Sequence, residues 1–235
     1  VSQSRSGTYT KMQKAYYEGN GRLWTPSNPD HVVGSWFQHI HYRDYEYLFT
    51  GIDTKGMVAL DFGCGPGRNI VQHSKRFKRI DGVDISETLL AKAKRWAARN
   101  GIKEVTTYSC NGVDLANVPS DTYDFVMSSI CMQHICVHEI RYNYFKEFLR
   151  VLKPEGWIGI QMGFGPRSPA SVDYYANYYE AKGTNRAMDT RVESPDQLEK
   201  DLTEIGFASF RHWLRPPGPA ESHRNWIFFQ AQKPK

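Results

Sequence analysis

No stretch of this 235-residue chain approaches the ~20 apolar residues a membrane-spanning helix needs, and no apolar leader precedes its first polar segment. The expected location is therefore cytoplasmic, with no membrane partner. Cysteine is scarce. Cys64, Cys110, Cys131 and Cys136 sit in or near apolar segments without the paired spacing of a zinc site, and read as free thiols of a reducing compartment. No paired aspartates form an array suited to magnesium, so no metal is expected, although histidines 31, 39 and 41 cluster near the N-terminus. Repeats, low-complexity tracts, zinc knuckles and a long basic arm are all missing. The formal net charge of +5 is concentrated in Lys75-Arg76-Phe77-Lys78-Arg79 and at Lys92, Lys94, Arg95 and Arg99. Solvated helix faces account for both clusters, and no nucleic-acid partner is expected.

What the chain does contain is an alternation of strand and helix patterns from about residue 57 to 162. That order argues for a parallel sheet covered by helices, in one α/β domain with some elaboration. Strands are expected at Met57–Phe62, Arg79–Val83, Val105–Cys110, Tyr123–Ser128 and Trp157–Met162. A helix over 67–77 follows the first strand. Ser86 caps the next helix, whose apolar face is Leu89, Leu90, Ala93, Trp96 and Ala97, and Asn100-Gly101 ends it. Ile140, Tyr144, Phe145, Phe148, Leu149 and Leu152 mark a further helix, stopped by Lys153-Pro154-Glu155-Gly156. Ser194-Pro195 opens a helix from Asp196 to Ile205. Phe207–Leu214 and Asn225–Gln232 complete the expected strands.

The most informative run is Val58-Ala59-Leu60-Asp61-Phe62-Gly63-Cys64-Gly65-Pro66-Gly67-Arg68-Asn69. Its three glycines permit a tight turn and close approach of a ligand to the backbone. The spacing is G-x-G-x-G, which is neither the G-x-G-x-x-G of dinucleotide binders nor a P-loop. With Asp61 before the turn and Asp84 after the next strand, it closely resembles motif I of class I S-adenosylmethionine-dependent methyltransferases. Tyr123-Asp124-Phe125-Val126-Met127-Ser128 resembles the family's fourth motif. Leu149-Arg150-Val151-Leu152-Lys153-Pro154-Glu155-Gly156-Trp157 is similar to its common helix-to-strand element. The likeness covers residues 55–162 most strongly. It implies a seven-stranded, mostly parallel Rossmann-like sheet with an antiparallel last strand and helices on both faces. It also implies S-adenosyl-L-methionine as cofactor and S-adenosyl-L-homocysteine as product.

Within that resemblance Gly63, Cys64, Gly65, Gly67 and Asn69 wrap the methionine part of the cofactor. Asp61 orients the turn or reaches the cofactor's amino group. Asp84, with Ile85 beside it, lies about 20 residues beyond the turn, where a carboxylate accepts from both ribose hydroxyls. Asn111, Gly112 and Val113 border the adenine, with Asp114 a rival to Asn111. Ser128 ends the fourth strand and opens the stretch Ser128-Ser129-Ile130-Cys131-Met132-Gln133-His134-Ile135, which by the same resemblance faces the sulfonium. His134 is the candidate base, since an imidazole exchanges its proton near neutral pH; packing or cofactor shaping is the competing role. Residues 1–50 form an expected aromatic-rich helical cap over the acceptor pocket, and residues 51–235 the methyltransferase domain, with a substrate-lid insert at about 163–193. From these two regions Trp36, His39, Tyr42, Arg167, Tyr174 and Tyr175 are the candidate acceptor contacts. Aromatic faces beside polar groups suit a hydroxyl of a small molecule or glycan, including a sugar. N-methylation of a small amine, nucleic-acid methylation and a non-catalytic cofactor-binding module are the alternatives.

Overall fold

Neighbouring side chains of a strand point to opposite sides, so strands apolar at successive positions must be covered on both faces. The structure, a computed structural model, describes residues 3–24, 40–167, 169, 171–179, 189–216 and 225–235. Its strands are β1 (Val58–Phe62), β2 (Arg79–Asp84), β3 (Thr107–Ser109), β4 (Tyr123–Ser128), β5 (Leu152–Phe164), β6 (Ser171–Val172), β7 (Asp189–Thr190), β8 (Ala208–Arg215) and β9 (Asn225–Gln232). Its helices are α1 (Gln3–Leu23), α2 (Arg68–Gln72), α3 (Glu87–Arg99), α4 (His138–Val151) and α5 (Pro195–Ile205), with 3-10 helices at Ile40–Phe49 and Met132–His134.

Seven strands form one sheet in the order β3-β2-β1-β4-β5-β9-β8, while β6 and β7 pair apart from it. β1 to β5 run parallel, and β9 lies antiparallel to both of its neighbours. This is the sheet expected from the sequence. On one face Leu60, Val126, Ile158 and Phe229 pack against Tyr144, Phe145 and Phe148 of α4 and Leu198 and Leu202 of α5. On the other, Ala59, Phe125, Met127 and Phe228 meet Leu90, Ala93 and Ala97 of α3 and Leu48 and Phe49 of the first 3-10 helix.

Two boundaries differ most from the sequence reading, and the third strand is shorter than expected, Thr107–Ser109. α2 stops at Gln72 rather than near residue 77. No apolar residue between Val71 and Phe77 holds a longer helix to the sheet. β5 begins at Leu152, directly after α4, because Lys153-Pro154-Glu155-Gly156 pairs as an irregular strand start and does not form a loop. The register against β4 shifts between Tyr123 and Phe125, and Glu155 takes φ 65°. The Glu155 and Gly156 backbone pairs with Lys233 at 3.0 and 2.8 Å.

α1 docks on α3 by reciprocal end-capping. Glu18 Oε1 accepts the Glu87 and Thr88 amides at the α3 N-terminus, at 2.7 and 3.4 Å. In return Lys92 Nζ of α3 donates to the carbonyls of Gly21 and Trp24 where α1 ends. Both contacts satisfy helix-end groups that have no partner inside their own helix. The insert after β5 is tied down as well. Gly165 N and Val192 N form the pair Gly165 N→Val192 O and Val192 N→Gly163 O, each 3.0 Å.

Candidate functional site

β1 delivers the chain into the turn Gly63 to Gly67, and β2 delivers Asp84 beside it. Gly63 N and Cys64 N donate to Val83 O at 2.8 and 3.1 Å, locking the turn to the end of β2. Gly63 has φ 68°, and a Cβ there would lie 2.1 Å from Cys131 Sγ. Gly65 has φ 52°, but a Cβ there would meet only open space. The first glycine is thus required by the protein's own packing, and the second faces a cavity.

That cavity, of about 260 Å³, is lined from three directions. The β1 and β2 ends contribute Phe62, Gly63, Cys64, Gly65, Pro66, Arg68, Asn69, Asp84 and Ile85. The segments after β3 and β4 add Cys110, Gly112, Ser129, Ile130, Cys131, His134 and Ile135. Tyr9, Gln13, Tyr16 and Tyr17 of α1, with Trp24 just beyond it, form the third wall, and Leu89 and Tyr144 complete the lining. Ile130 adopts φ 52°, an uncommon conformation for a β-branched residue.

One carboxylate, Asp84, lines the cavity, and a second, Asp61, lies behind Asn69. Asp84 Oδ2 accepts from Gly65 N and Oδ1 from Ser86 N, both at 2.9 Å. Burial still pushes Asp84 up to about 6, against the lowering effect of those amides. Asp61 is fully buried, and desolvation pushes it up to about 7, only partly offset by the Asn69 amide and Arg68. Its Oδ1 accepts from Asn69 Nδ2 at 3.0 Å, whereas its Oδ2 and the Asn69 Oδ1 have no partner among the described residues. Buried acceptors without donors, next to a glycine whose missing Cβ leaves open space, fit a ligand carrying an ammonium group and hydroxyls. Burial also raises the Cys64 and Cys131 thiols well above their usual range, and Cys110 to about 11. The Tyr9, Tyr17 and Tyr144 phenols are raised in the same way, so all six groups stay protonated near neutral pH.

His134 ends the 3-10 helix after β4 and stands on the cavity wall. Its Nδ1 lies 2.6 Å from Asp189 Oδ1 of β7. Its carbonyl accepts from Tyr9 Oη and Gln13 Nε2, each at 3.4 Å. The Cys136 amide donates to Tyr9 Oη at 2.8 Å, so α1 is fastened to the same segment.

Seven of the expected cofactor residues line the cavity: Gly63, Cys64, Gly65, Asn69, Asp84, Ile85 and Gly112. Five do not. Asp61 sits behind Asn69, and Gly67 packs on Ala93, 3.0 Å from where its Cβ would be. Asn111 is turned into its own loop, accepting from Val113 N and Asp114 N and donating to Asp114 Oδ1. Val113 gives its carbonyl to Asn143 Nδ2 at 2.7 Å, and Ser128 Oγ donates to Phe62 O at 2.9 Å.

The acceptor expectations are corrected more strongly. Tyr174 is fully buried, with its hydroxyl on Asp201 at 2.8 Å and its carbonyl accepting from Arg141. Tyr175 is exposed, with its ring 4.9 Å from that of His138. Arg167 is half exposed and pairs with Glu193 at 3.0 Å and Asp173 at 3.5 Å. None of the three is among the cavity-lining residues, and the 174–177 part of the insert packs on α4 and α5. Trp36, His39 and the Tyr42 side chain lie outside the described residues. Within the α1 face, part of the expected N-terminal cap, the residues not singled out are Tyr9 and Gln13. Their signal is the spacing of Tyr9, Gln13, Tyr16 and Tyr17 at i, i+4, i+7 and i+8, one side of a helix. Ser129 and Cys131 fall in the Ser128–Ile135 stretch expected to face the sulfonium, whereas Arg68 carried no comparable signal.

Comparison with known proteins agrees with this geometry. Residues 59–156 match the family described as Methyltransferase domain. Rattus norvegicus N-terminal Xaa-Pro-Lys N-methyltransferase 1 is 32% identical over 63% of this chain and 71% of its own length. The S-adenosyl-L-methionine-dependent Diels-Alderase iliD of Neonectria sp. is 27% identical, over 74% of this chain and 67% of its own. A Haemonchus contortus phosphoethanolamine N-methyltransferase 2, solved with S-adenosylhomocysteine, shares the fold at TM-score 0.63. It is 20% identical and covers 97% of this chain and 59% of that one. No described helix is long and apolar enough to cross a membrane. The G-x-G-x-G turn, the Asp84 carboxylate beside it and these relatives converge: the chain belongs to the class I S-adenosylmethionine-dependent methyltransferases, and S-adenosylmethionine is its cofactor.

Proposed function

We propose that this enzyme methylates a hydroxyl of a small molecule or glycan, with His134 as the base that takes the hydroxyl proton. The observation that carries the reading is His134 itself. It is an imidazole on the cavity wall, in a setting where burial holds the neighbouring phenols and thiols protonated. When bound, the cofactor supplies an electrophilic methyl group on a sulfonium. Asp84 would accept from its ribose hydroxyls, since each carboxylate oxygen keeps a lone pair beyond its backbone amide. Asn69 Oδ1, backed by the buried Asp61 carboxylate, would accept from its ammonium. Gly65 would let the ligand reach the backbone, and Ile85 and Gly112 would flank its adenine ring. Arg68 is held to Ser129 Oγ at 3.2 Å at the cavity edge.

The acceptor would lie between His134 and the α1 face. Tyr16, Tyr17 and Trp24 offer ring faces there and Gln13 offers polar groups, a mixture that suits a sugar or another polyhydroxylated molecule. The same tyrosines would hold a cationic amine, which keeps N-methylation as the second reading. Transfer of label from methyl-labelled cofactor to a panel of sugars, glycans, amines and RNA, read by mass spectrometry, separates the two. Label is expected on hydroxyl acceptors, and label found only on amines overturns the reading. His134→Ala should lower turnover at least about tenfold while cofactor affinity holds.

A further inference from the structure

We infer that Asp189 is the positioning residue for His134, fixing its imidazole with the proton on Nδ1 and a bare Nε2 available to the cavity. This rests on the reading of His134 as the base. The contact is short and direct, Nδ1 to Oδ1 at 2.6 Å, between residues 55 apart in the chain. With Nδ1 engaged, Nε2 is the ring nitrogen left for an acceptor proton, and it has no protein partner among the described residues. A carboxylate on one nitrogen selects the tautomer, sets the ring's orientation and stabilises the imidazolium that forms when the other nitrogen takes a proton.

The carboxylate is itself held in place. β7 pairs with β6 through Ser171↔Asp189 and Val172↔Thr190. Thr190 is fully buried, and its hydroxyl reaches the carbonyls of Val172 and Asp173 at 3.4 and 3.3 Å. Val192, also fully buried, exchanges backbone hydrogen bonds with Gly163 and Gly165 at the end of β5. The insert therefore delivers a carboxylate to the imidazole Nδ1. From α1, Tyr9 and Gln13 hold the His134 carbonyl. Ring and backbone are thus fixed by different elements, as a base aligned to within fractions of an ångström requires.

The test is long-range proton–nitrogen NMR on histidine-labelled protein at pH 8, comparing wild type with Asp189→Asn. Wild type is expected to show one His134 tautomer, protonated at Nδ1 and bare at Nε2, and Asp189→Asn a mixture. A wild-type ring protonated at Nε2, or a spectrum unchanged in the variant, overturns the assignment. With the acceptor found by the labelling panel, Asp189→Asn should lower kcat about tenfold or more, leaving the cofactor Kd within twofold. A kcat within twofold of wild type also overturns it. The two readings fail separately. If His134→Ala keeps full turnover while the tautomer result stands, the base proposal falls and the Asp189 contact remains as the holder of the ring.

Discussion

Gly63 and Gly65 look equivalent in the sequence but do different work. A methyl group on Gly63 would lie 2.1 Å from Cys131 Sγ and 2.7 Å from its Cβ, so the loop after β4 would have to move. At Gly65 the same methyl meets no protein atom and enters the space a ligand needs. Gly65→Ala is therefore expected to bind the cofactor at least tenfold more weakly. Its loss of stability should be confined to the backbone cost of a Cβ at positive φ, roughly 1–2 kcal/mol. Gly63→Ala should lose more stability, because overpacking of about 1–3 kcal/mol is added to the same backbone cost. Thermal melts paired with calorimetric titration measure both quantities. Wild-type affinity in Gly65→Ala, or a smaller melting shift in Gly63→Ala than in Gly65→Ala, would contradict this division of labour.

At the scale of elements, α1 is at once roof and wall, and its attachment depends on a few polar contacts. Glu18 accepts two amides at the start of α3, a capping role worth about 1 kcal/mol. Glu18→Ala should speed amide exchange throughout α1 and raise the cofactor off-rate several-fold, with the β1–β5 core unaffected. Exchange in α1 matching wild type would show that its docking does not depend on the cap. This helix also marks where the sequence stopped being readable. The Gly63–Gly67 turn and Asp84 were legible because local residue types impose the backbone shape there. The sheet was legible because Leu60, Val126 and Phe229 recur in strand-length apolar runs. In α1 the aromatic content was legible but the roles of Tyr9 and Gln13 were not, since they gain meaning only against His134, more than 120 residues away. Tyr174 and Tyr175 misled for the same reason. A tyrosine cluster has one composition whichever surface it meets, and here the partners of Tyr174 are Asp201 and Arg141.

For the molecule as a whole, the buried carboxylates link cofactor binding, stability and pH. Asp61 ordinarily titrates near 3.8, and in the folded, ligand-free protein burial raises it to about 7; Asp84 is raised to about 6 by the same cause. Between those limits the folded chain holds protons on Asp61 and Asp84 that the unfolded one has lost, so their contribution to stability falls as pH rises from about 4 to about 7, while buried His73, pushed down to about 3, acts in the opposite direction up to about pH 6.5. Asp61→Asn removes the charge but keeps an oxygen for Asn69 Nδ2, so it isolates one group. The variant should melt close to wild type at pH 4 and higher than wild type at pH 8. Cofactor affinity should run the opposite way in wild type, rising several-fold from pH 5.5 to 8 as the carboxylates ionise to meet a cation, and rising less in Asp61→Asn. Melting curves and titrations across that range, on both proteins with and without cofactor, decide the matter. If wild type and Asp61→Asn keep a constant separation in melting temperature at every pH, the Asp61 proton is not part of the linkage. The affinity gain would then have to come from Asp84 alone, whose lower value predicts a rise completed closer to pH 6.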